Sequence, residues 1–522
     1  MKPQTSVRTM EHSRIGALKA GLVAIAMMTA GGCAVGPDYI PPPAPVPPAF
    51  KELKGWKIAE PLDTFDRGAW WSVYHDDVLD GLMRQVEVSN QNLAAADAAF
   101  RQAAAIVQQA RAQLFPVFGL DYNAVRSHTG PAAAAAGSGS PGQAIGLAQT
   151  RTTVTLETTG SWDLDVWGKI RRTIESDVAN AQASEADLAN ARLSAQTQLA
   201  TAYFNMRAAD SLQRILNESV ANFKRTQKIT ENQYNQGTVA RSDVVVAQTQ
   251  VKTTEALEIN VAIQRAQFEH AIAVLIGLPP AELTIKPKPL GTKVPTIPGT
   301  LPSLLLERRP DIAAAERRIQ AQSALIGVTV AAYFPDISVS GFIGWVGNRA
   351  FPISVANEVW SIGGALSETL FDGGLRRAQV IAQEATYYQS VATYRQTVLT
   401  AFQQVEDQLV AQRVLAKQAT AQNEAVTLSR KAVEIALNEY KAGTTSFTTV
   451  VTAQSTQLTN EQAALTVLQN RYLATVNLIS ALGGGWDTSD IPDYEMLRHW
   501  RGCISIRDTI VGNIPPEMPP CL

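Results

Sequence analysis

Residues 234–238 read Tyr-Asn-Gln-Gly-Thr, and residues 440–444 read Tyr-Lys-Ala-Gly-Thr. Each glycine, Gly237 and Gly443, follows 68 residues that contain neither Gly nor Pro, and precedes 39 more. At 1.5 Å per residue the longer runs predict helices of roughly 100 Å, against a usual helix of ~11–12 residues. Because such a helix cannot bury its surface alone, we predict two antiparallel helical hairpins with their tips at these glycines.

The two hairpins belong to two copies of one unit. Asn92–Ala96 matches Asp311–Ala315 at an offset of 219 residues, whereas the two tips match at an offset of 206. The two repeats therefore differ in length at one place between these two sets of matches, and the Ala/Gly/Ser-rich stretch 128–149 is the obvious position for the difference. The predicted domains are a signal segment (1–32), a Pro-rich N-terminal segment (33–75), repeat 1 (76–278), a linker (279–303), repeat 2 (304–485) and a tail (486–522).

Each repeat also carries two segments in which apolar and polar residues alternate. In the first of them Phe118, Leu120 and Tyr122 alternate with polar or small residues. Alternation over about ten residues is typical of transmembrane β-strands, although a soluble hairpin gives the same pattern. We predict β-hairpins at 117–166 and 336–370. Four strands cannot close a barrel, and unpaired strand edges in lipid are costly, so the chain is expected to oligomerise.

The N-terminus reads as an export signal. Basic residues precede a short apolar run, 22–28, that is too short to span a bilayer. The run ends in Ala30-Gly31-Gly32-Cys33, which resembles the lipobox of bacterial lipoproteins, so Cys33 is the expected lipidation site; the alternative is an ordinary cleavable signal. Two cysteines of the tail, Cys503 and Cys521, form a candidate disulfide, with two free thiols as the alternative.

Composition and motifs argue against several classes of function. The net charge is -2 and there is no basic block, so nothing favours binding to nucleic acid. The sequence has no phosphate-binding loop, and its five histidines are scattered without metal-ligand spacing. We therefore expect no enzyme activity, no cofactor and no metal site.

Several motifs carry a resemblance to a known family. Ala34-Val35-Gly36-Pro37-Asp38-Tyr39 follows Cys33, Trp70-Trp71 precedes Asp76-Asp77-Val78-Leu79, and repeat 2 opens with Glu307-Arg308-Arg309-Pro310-Asp311-Ile312. With the twin Tyr-x-x-Gly tips, these resemble the TolC-like outer membrane factors, in the NodT-like lipoprotein branch that serves resistance-nodulation-division (RND) efflux pumps. The resemblance covers the chain from Cys33 to about Gly485.

The resemblance implies a mixed α and β membrane protein. In the family, a homotrimer builds a 12-stranded transmembrane β-barrel, four strands per chain, continued by a long α-helical coiled-coil barrel. The expected function is a passive duct for drugs or small solutes, held in outer-membrane lipid and joined to an inner-membrane RND transporter by a periplasmic adaptor. The exit duct of a type I protein-secretion system is an alternative, and a non-conducting envelope spacer is a second.

The resemblance also assigns roles to the hairpin tips. Adaptor docking is expected at Gly237, Thr238 and Arg241 of the first tip and at Gly443, Thr444 and Thr445 of the second. Family members often carry a carboxylate before the Ala-Gln of the second tip, where this chain has Thr452. Phe447, Thr448, Thr449 and Thr452 are therefore candidates for a neutral entrance constriction, the alternative being that they only pack the tip.

Two local motifs have structural interpretations. Ser242 and Asp243 follow the first tip, where a side-chain oxygen can cap a helix and a carboxylate is favoured by the helix dipole. Direct contact with the adaptor is the alternative for this pair. Arg308-Arg309-Pro310-Asp311 predicts the start of a helix beneath the barrel.

Overall fold

The computed structural model describes residues 34–44, 46–47, 49–53, 69–130, 149–295, 308–486 and 488–499. The signal segment and the cysteines at 33, 503 and 521 lie outside these residues. The described chain has the predicted mixed architecture of a small sheet and very long helices, arranged as an internal repeat.

The helices of repeat 1 are α1 (Asp77–Ser89), α2 (Gln91–Ala112), α3 (Lys169–Asn235) and α4 (Arg241–Leu275). Those of repeat 2 are α5 (Pro310–Ala331), α6 (Leu375–Lys441) and α7 (Phe447–Ala481), and α8 (Tyr494–His499) follows in the tail. The long helices α3 and α6 have 67 residues each, and the return helices α4 and α7 have 35. Helix α3 packs on α4 and α6 packs on α7, so both predicted hairpins are present.

The strands are β1 (Val117–Thr129), β2 (Gln149–Asp163), β3 (Asp336–Gly347) and β4 (Glu358–Ser367). They form one antiparallel sheet in the order β1-β2-β3-β4. The hairpin of repeat 1 thus lies beside that of repeat 2, and the two repeats share a single sheet. Strands β1 and β2 are longer than the alternating segments suggested, because they continue toward the Ala/Gly/Ser-rich stretch.

Both hairpin tips end their long helix in the same way. Gly237 has a φ of 76°, a left-handed conformation that glycine adopts without strain. Its N–H donates to the carbonyl of Tyr234 (2.8 Å), and the N–H of Thr238 donates to that of Gln233 (3.0 Å). The same pair of bonds recurs around Gly443, whose φ is 75°. This hydrogen-bond pattern is the Schellman motif, which explains why the tip needs glycine.

The return helices end at a second pair of equivalent glycines. Gly277 and Gly483 also have positive φ, and a Cβ at either position would overlap a backbone carbonyl, that of Ser89 or of Arg308. Ser89 and Arg308 are themselves related by the repeat, because they lie 219 residues apart. In both repeats, therefore, the glycine that ends the return helix packs against the backbone near the start of the same repeat.

Helix starts follow the sequence expectation at one site and depart from it at another. Helix α5 begins at Pro310, within the motif that predicted a helix start, and its N-cap is Arg309. Arg309 donates to Asp311 (2.7 Å) and to the carbonyl of Ala481 (3.0 Å). Helix α4 instead begins one residue before Ser242, and its N-cap, Ala240, makes no side-chain hydrogen bond. Ser242 therefore does not cap this helix, while Asp243 lies in the first turn, where the dipole favours a carboxylate.

The N-terminal segment fastens to both the sheet end and the helices. The N–H of Val35 donates to the carbonyl of Trp167 (3.1 Å), just before α3, and Arg172 donates to Asp38 (2.8 Å). Further along, the N–H groups of residues 51 and 52 donate to the carboxylate of Glu406 in α6. The segment thus runs from the base of the sheet along the helical part of the protomer.

Candidate functional site

The sheet has one apolar and one polar face. In the register, Phe118, Leu120 and Tyr122 of β1 lie opposite Gly160, Thr158 and Leu156 of β2. The same face continues through β3 and β4, where its large apolar side chains are Ile337, Val339, Ile343, Trp345, Trp360, Ile362 and Leu366 and its one charged residue is Glu358. The opposite face, called the polar face below, carries mostly polar or small side chains: Asp121, Asn123, Thr155, Glu157, Ser338, Ser340, Ser361 and Gly363. It also carries larger apolar residues, among them Val125, Phe342, Val346 and Val359.

Most of the apolar face is exposed in the isolated protomer. Leu120 is 73% exposed, Trp360 is 67% exposed and Ile362 is 74% exposed. Exposed to water, such a face would favour aggregation, whereas contact with acyl chains would bury it. The register therefore confirms the prediction that the alternating apolar residues share one face of the sheet.

The sheet also ends in two unpaired edges. Strand β1 pairs only with β2, and β4 pairs only with β3, among the described residues. Open backbone edges invite pairing with a further strand, and within a bilayer they cannot be left unpaired. No other strand of the described residues is available to pair with these edges, so another copy of the chain is the expected source of the missing strands.

A carboxylate just before each long helix accepts hydrogen bonds from the first residues of that helix. Asp165 accepts the N–H groups of Ile170 and Arg171, both at 2.9 Å. Asp372, before α6, accepts from the Arg376 side chain at 2.7 Å and from backbone N–H groups. The hydrogen bond from Arg376, followed by those from the backbone, lowers the pKa of Asp372 to about 2. Both junctions are thus fixed by charge at a helix start.

A buried charge cluster holds the linker against hairpin 1. Arg207 and Asp210 of α3 are 3% and 8% exposed, and they form an ion pair at 3.2 Å. Arg265 of α4 also pairs with Asp210 (2.8 Å), and Arg207 donates to the carbonyl of Lys286 in the linker (2.8 Å). Buried charges are stable only when partnered in this way. Sequence reasoning missed the cluster, because Arg-x-x-Asp on a helix looks like an ordinary solvated pair.

The first tip exposes the residues assigned to adaptor docking. Gly237, Thr238 and Arg241 are all exposed. The Thr238 hydroxyl donates to the carbonyl of Gln233 (2.8 Å), which adds a side-chain bond to the turn. Behind the tip, Lys224 of α3 pairs with Glu255 of α4 at 2.7 Å. Hydrogen bonds from Lys224 and then from Lys252 lower the pKa of Glu255 to about 2.

The second tip separates the four constriction candidates. Phe447 is 4% exposed and packs on the ring of Tyr440 at 5.3 Å, within a small core that includes Val450. Its bulk therefore packs the tip of its own protomer, in line with the alternative interpretation. Thr448, Thr449 and Thr452 are exposed, as are the docking candidates Gly443 and Thr444, whereas Thr445 is partly exposed.

The exposed threonines continue as a neutral stripe along α7. The Thr452 hydroxyl donates to the carbonyl of Thr448 (2.9 Å), and that of Thr456 donates to Thr452 (2.8 Å). Each hydroxyl thus uses its hydrogen on its own helix and keeps its oxygen as an acceptor. The stripe provides polar surface without a titratable group.

The two hairpins contact each other near the tips. Gln454 of α7 is 5% exposed, and its amide donates to the hydroxyl of Thr226 in α3 at 2.9 Å. Below this point, Leu458 of α7 belongs to the same apolar cluster as Val251 and Val261 of α4. These contacts hold the two tips side by side.

Two other features are absent from the part of the chain that the structure describes, a metal-binding cluster and a membrane-spanning helix. Within the described chain, no group of three or more His, Cys, Asp or Glu residues could hold a metal ion. Among the helices that the structure describes, none is both long and apolar enough to cross a membrane.

The chain is similar to known outer membrane proteins over nearly its whole length. The family model described as outer membrane efflux protein matches residues 82–278 and 301–484. The probable efflux pump outer membrane protein TtgC of Pseudomonas putida is 28% identical over 476 residues, which cover 89% of this chain and 95% of the relative. The cation efflux system protein CusC of Escherichia coli K12 is 27% identical over 463 residues, or 87% of this chain and 96% of that one.

A solved structure gives the same result. The outer-membrane channel OprN superposes with a TM-score of 0.78 at 30% sequence identity, covering 87% of this chain and 100% of that one. The family match spans both repeats, including the sheet and both helical hairpins. The chain therefore belongs to the outer membrane efflux protein family and is an outer-membrane efflux channel.

Proposed function

We propose that three copies of this chain form the passive outer-membrane duct of a tripartite efflux pump. The observation that carries the proposal is the sheet, which has one apolar face and two open edges. Pairing β4 of one copy with β1 of the next closes the sheet, turns the apolar face to lipid and turns the polar face to a lumen.

The number of copies is the one that the family resemblance implies, and it leaves space for a duct. A barrel of about eight strands is filled by its own side chains, so two copies would leave little room for a solute. Three copies give twelve strands and an open lumen, in agreement with the family resemblance.

Exposed side chains along the long helices support assembly through the helical part as well. Helices α4 and α6 leave large apolar residues exposed in the protomer: Val245, Ile259, Ile263, Ile381, Tyr388, Leu399 and Leu428. Large apolar side chains that recur along one helix are normally buried against a partner. A neighbouring copy supplies that partner when the helices form a closed barrel below the membrane.

The remaining partners follow from the position of the tips. Both tips are exposed and lie at the ends of 67-residue helices, far from the sheet. They are the surface that we assign to a periplasmic adaptor, which would connect the duct to an inner-membrane RND transporter. The chain supplies no energy source of its own in this scheme, so the transporter would drive export.

Transport in cells tests this proposal. A host strain that lacks the gene should accumulate more of a fluorescent dye that RND pumps export, and a plasmid copy should restore low accumulation. Secretion of extracellular proteins should be unchanged in the same strain. Loss of a secreted protein together with normal dye efflux would favour the type I secretion duct instead.

We also propose that Cys33 carries a lipid. The chain just after it, at Ala34 and Val35, is fixed beside Trp167 and Gly168 at the base of the sheet. A lipid at this position would enter the membrane beside the barrel.

Labelling with radioactive palmitate tests the anchor. The wild type is expected to incorporate the label and Cys33→Ser is not, because only the cysteine thiol accepts the lipid. Four strands per copy already hold the duct in the membrane, so Cys33→Ser should retain efflux. Equal labelling of both proteins would refute the assignment.

The entrance is the third part of the proposal. We assign the constriction at the periplasmic end to Thr448, Thr449 and Thr452, which would recur around the threefold axis. Three carboxylates there would repel each other and attract cations, whereas three threonines do neither. The closed entrance of the wild type should therefore respond weakly to pH and to multivalent cations.

Introducing a carboxylate tests this assignment. Thr452→Asp is expected to make the channel cation-selective and sensitive to block by a trivalent cobalt complex added on the periplasmic side. Conductance in planar bilayers between about pH 5 and 8 measures both properties, with Thr452→Asn as the neutral control. Strong block of the wild type, or no change in the Asp variant, would place the constriction elsewhere.

A further inference from the structure

The loop between β3 and β4, residues 348–357, is fixed against the sheet. Pro352 is buried, and a Cβ at Gly347, the last residue of β3, would contact its ring. The side-chain amide of Asn357 donates to the carbonyl of Pro352 (2.8 Å) and closes the loop on itself. The loop therefore has a defined position.

That position is on the apolar side of the sheet. The hydroxyl of Tyr122 donates to the carbonyl of Ala350 (3.0 Å), and its ring lies 6.5 Å from that of Phe351. Tyr122 belongs to β1, two strands away from β3, and projects from the apolar face. Val154, on the same face and opposite Gly347 in the register, is only 3% exposed. The loop thus bends over the face that bears the large apolar side chains.

The outer surface of the loop is itself apolar. Phe351 is 77% exposed, Ile353 is 58% exposed and Val355 is 89% exposed. Trp345 and Trp360 flank the loop at the ends of β3 and β4 on the same face, where barrel proteins carry an interfacial aromatic girdle. Three large apolar side chains beside this aromatic girdle favour contact with the acyl chains at the membrane interface over contact with bulk water.

We propose that residues 348–357 lie in the outer-leaflet interface, with Phe351, Ile353 and Val355 against acyl chains. The loop is then part of the lipid-facing surface and does not cover the mouth of the pore. This inference rests on the proposed trimeric barrel, in which the apolar face meets lipid. The occupant is lipid because the loop continues the lipid-facing surface of the sheet without a break.

Site-specific fluorescence tests the proposal on the assembled full chain. Ile353→Cys and Val355→Cys are made with Cys503→Ser and Cys521→Ser, labelled with an environment-sensitive dye and reconstituted in phosphatidylcholine vesicles. We expect quenching by dibrominated phosphatidylcholine comparable to that of a label at Leu120→Cys, and little quenching by iodide. A label at Ser340→Cys, on the polar face, should show the reverse.

Each other outcome has a distinct meaning. Quenching of the loop labels by iodide alone would place the loop in water and overturn the proposal. Shielding from both quenchers would indicate cover by a neighbouring copy, which also overturns it. If the Leu120 label is not quenched by bromolipid, the orientation of the barrel itself is wrong, so failure of the proposed function is recognised separately.

Conductance gives an independent measurement that needs no label. Phe351→Ser, Ile353→Ser and Val355→Ser are combined in one variant and studied in planar bilayers. The open-channel conductance should equal that of the wild type, because the loop lies outside the lumen. A changed conductance in channels of normal assembly would place the loop over the mouth and contradict the proposal.

Discussion

Replacing Ile362 by Arg is expected to remove nearly all assembled channel from the outer membrane, whereas Ser361→Arg leaves it close to the wild-type amount. The two residues are neighbours in the middle of β4, both are exposed in the protomer, and they project from opposite faces of the sheet. An arginine on the lipid face near the bilayer midplane costs about 2–4 kcal/mol, or roughly 6–12 kcal/mol over three copies. An arginine in a hydrated lumen costs little.

The measurement is the amount of heat-labile oligomer in isolated outer membranes, detected on a gel with and without boiling. We expect a loss of about tenfold or more for Ile362→Arg, since 1.4 kcal/mol already corresponds to a factor of ten. Equal loss in both variants would show that the strand tolerates no arginine at all. Equal retention would show that the apolar face does not meet lipid.

The second large effect is expected at the hairpin tips. Thr444→Trp and Thr445→Trp together should abolish export, because bulky rings would block the surface that we assign to the adaptor. Arg241→Glu at the first tip should weaken export by reversing an exposed charge. The tips lie far from the sheet, so the oligomer should still reach the outer membrane in normal amount.

Dye accumulation in cells and co-purification of the adaptor measure this effect together. A matched control is Thr466→Trp, which places the same ring on the exposed side of α7 away from the tip. Thr444 keeps a hydrogen bond from its backbone N–H to the carbonyl of Glu439, so the turn itself should survive the change. Normal efflux in both tip variants would show that the adaptor binds elsewhere.

The long helices, their tips and the apolar face of the sheet could all be predicted from the sequence. Runs without Gly or Pro predict α3 and α6 because nothing in them interrupts the helix, and the glycines at 237 and 443 mark the tips because a Schellman turn needs a left-handed residue. The apolar face of the sheet was equally predictable, since a period of two fixes which side chains share a face.

Local packing was harder to predict, for physical reasons. Arg207, Asp210 and Arg265 form a buried network only because the linker covers them, and that cover depends on contacts between distant segments. Phe447 follows the tip and could equally have faced outward, but the ring of Tyr440 one turn before the glycine gives it an apolar partner. Ser242 has the right chemistry for a cap, but the helix begins one residue earlier.

The loop of residues 348–357 illustrates the same limit at the other end of the molecule. Its apolar residues are visible in the sequence, yet nothing in their spacing tells which side of the sheet they approach. Contacts from Tyr122, a hydrogen bond to Ala350 and a ring contact with Phe351, place the loop on the apolar face.

The central claim is that the open edges of the sheet are closed by two further copies of the same chain. Native mass spectrometry of the channel extracted from outer membranes in mild detergent tests this claim most directly. The account predicts a complex of three protomers that dissociates to single chains on boiling. A complex of one, two or four protomers would contradict it, because four strands per copy would then give a different barrel.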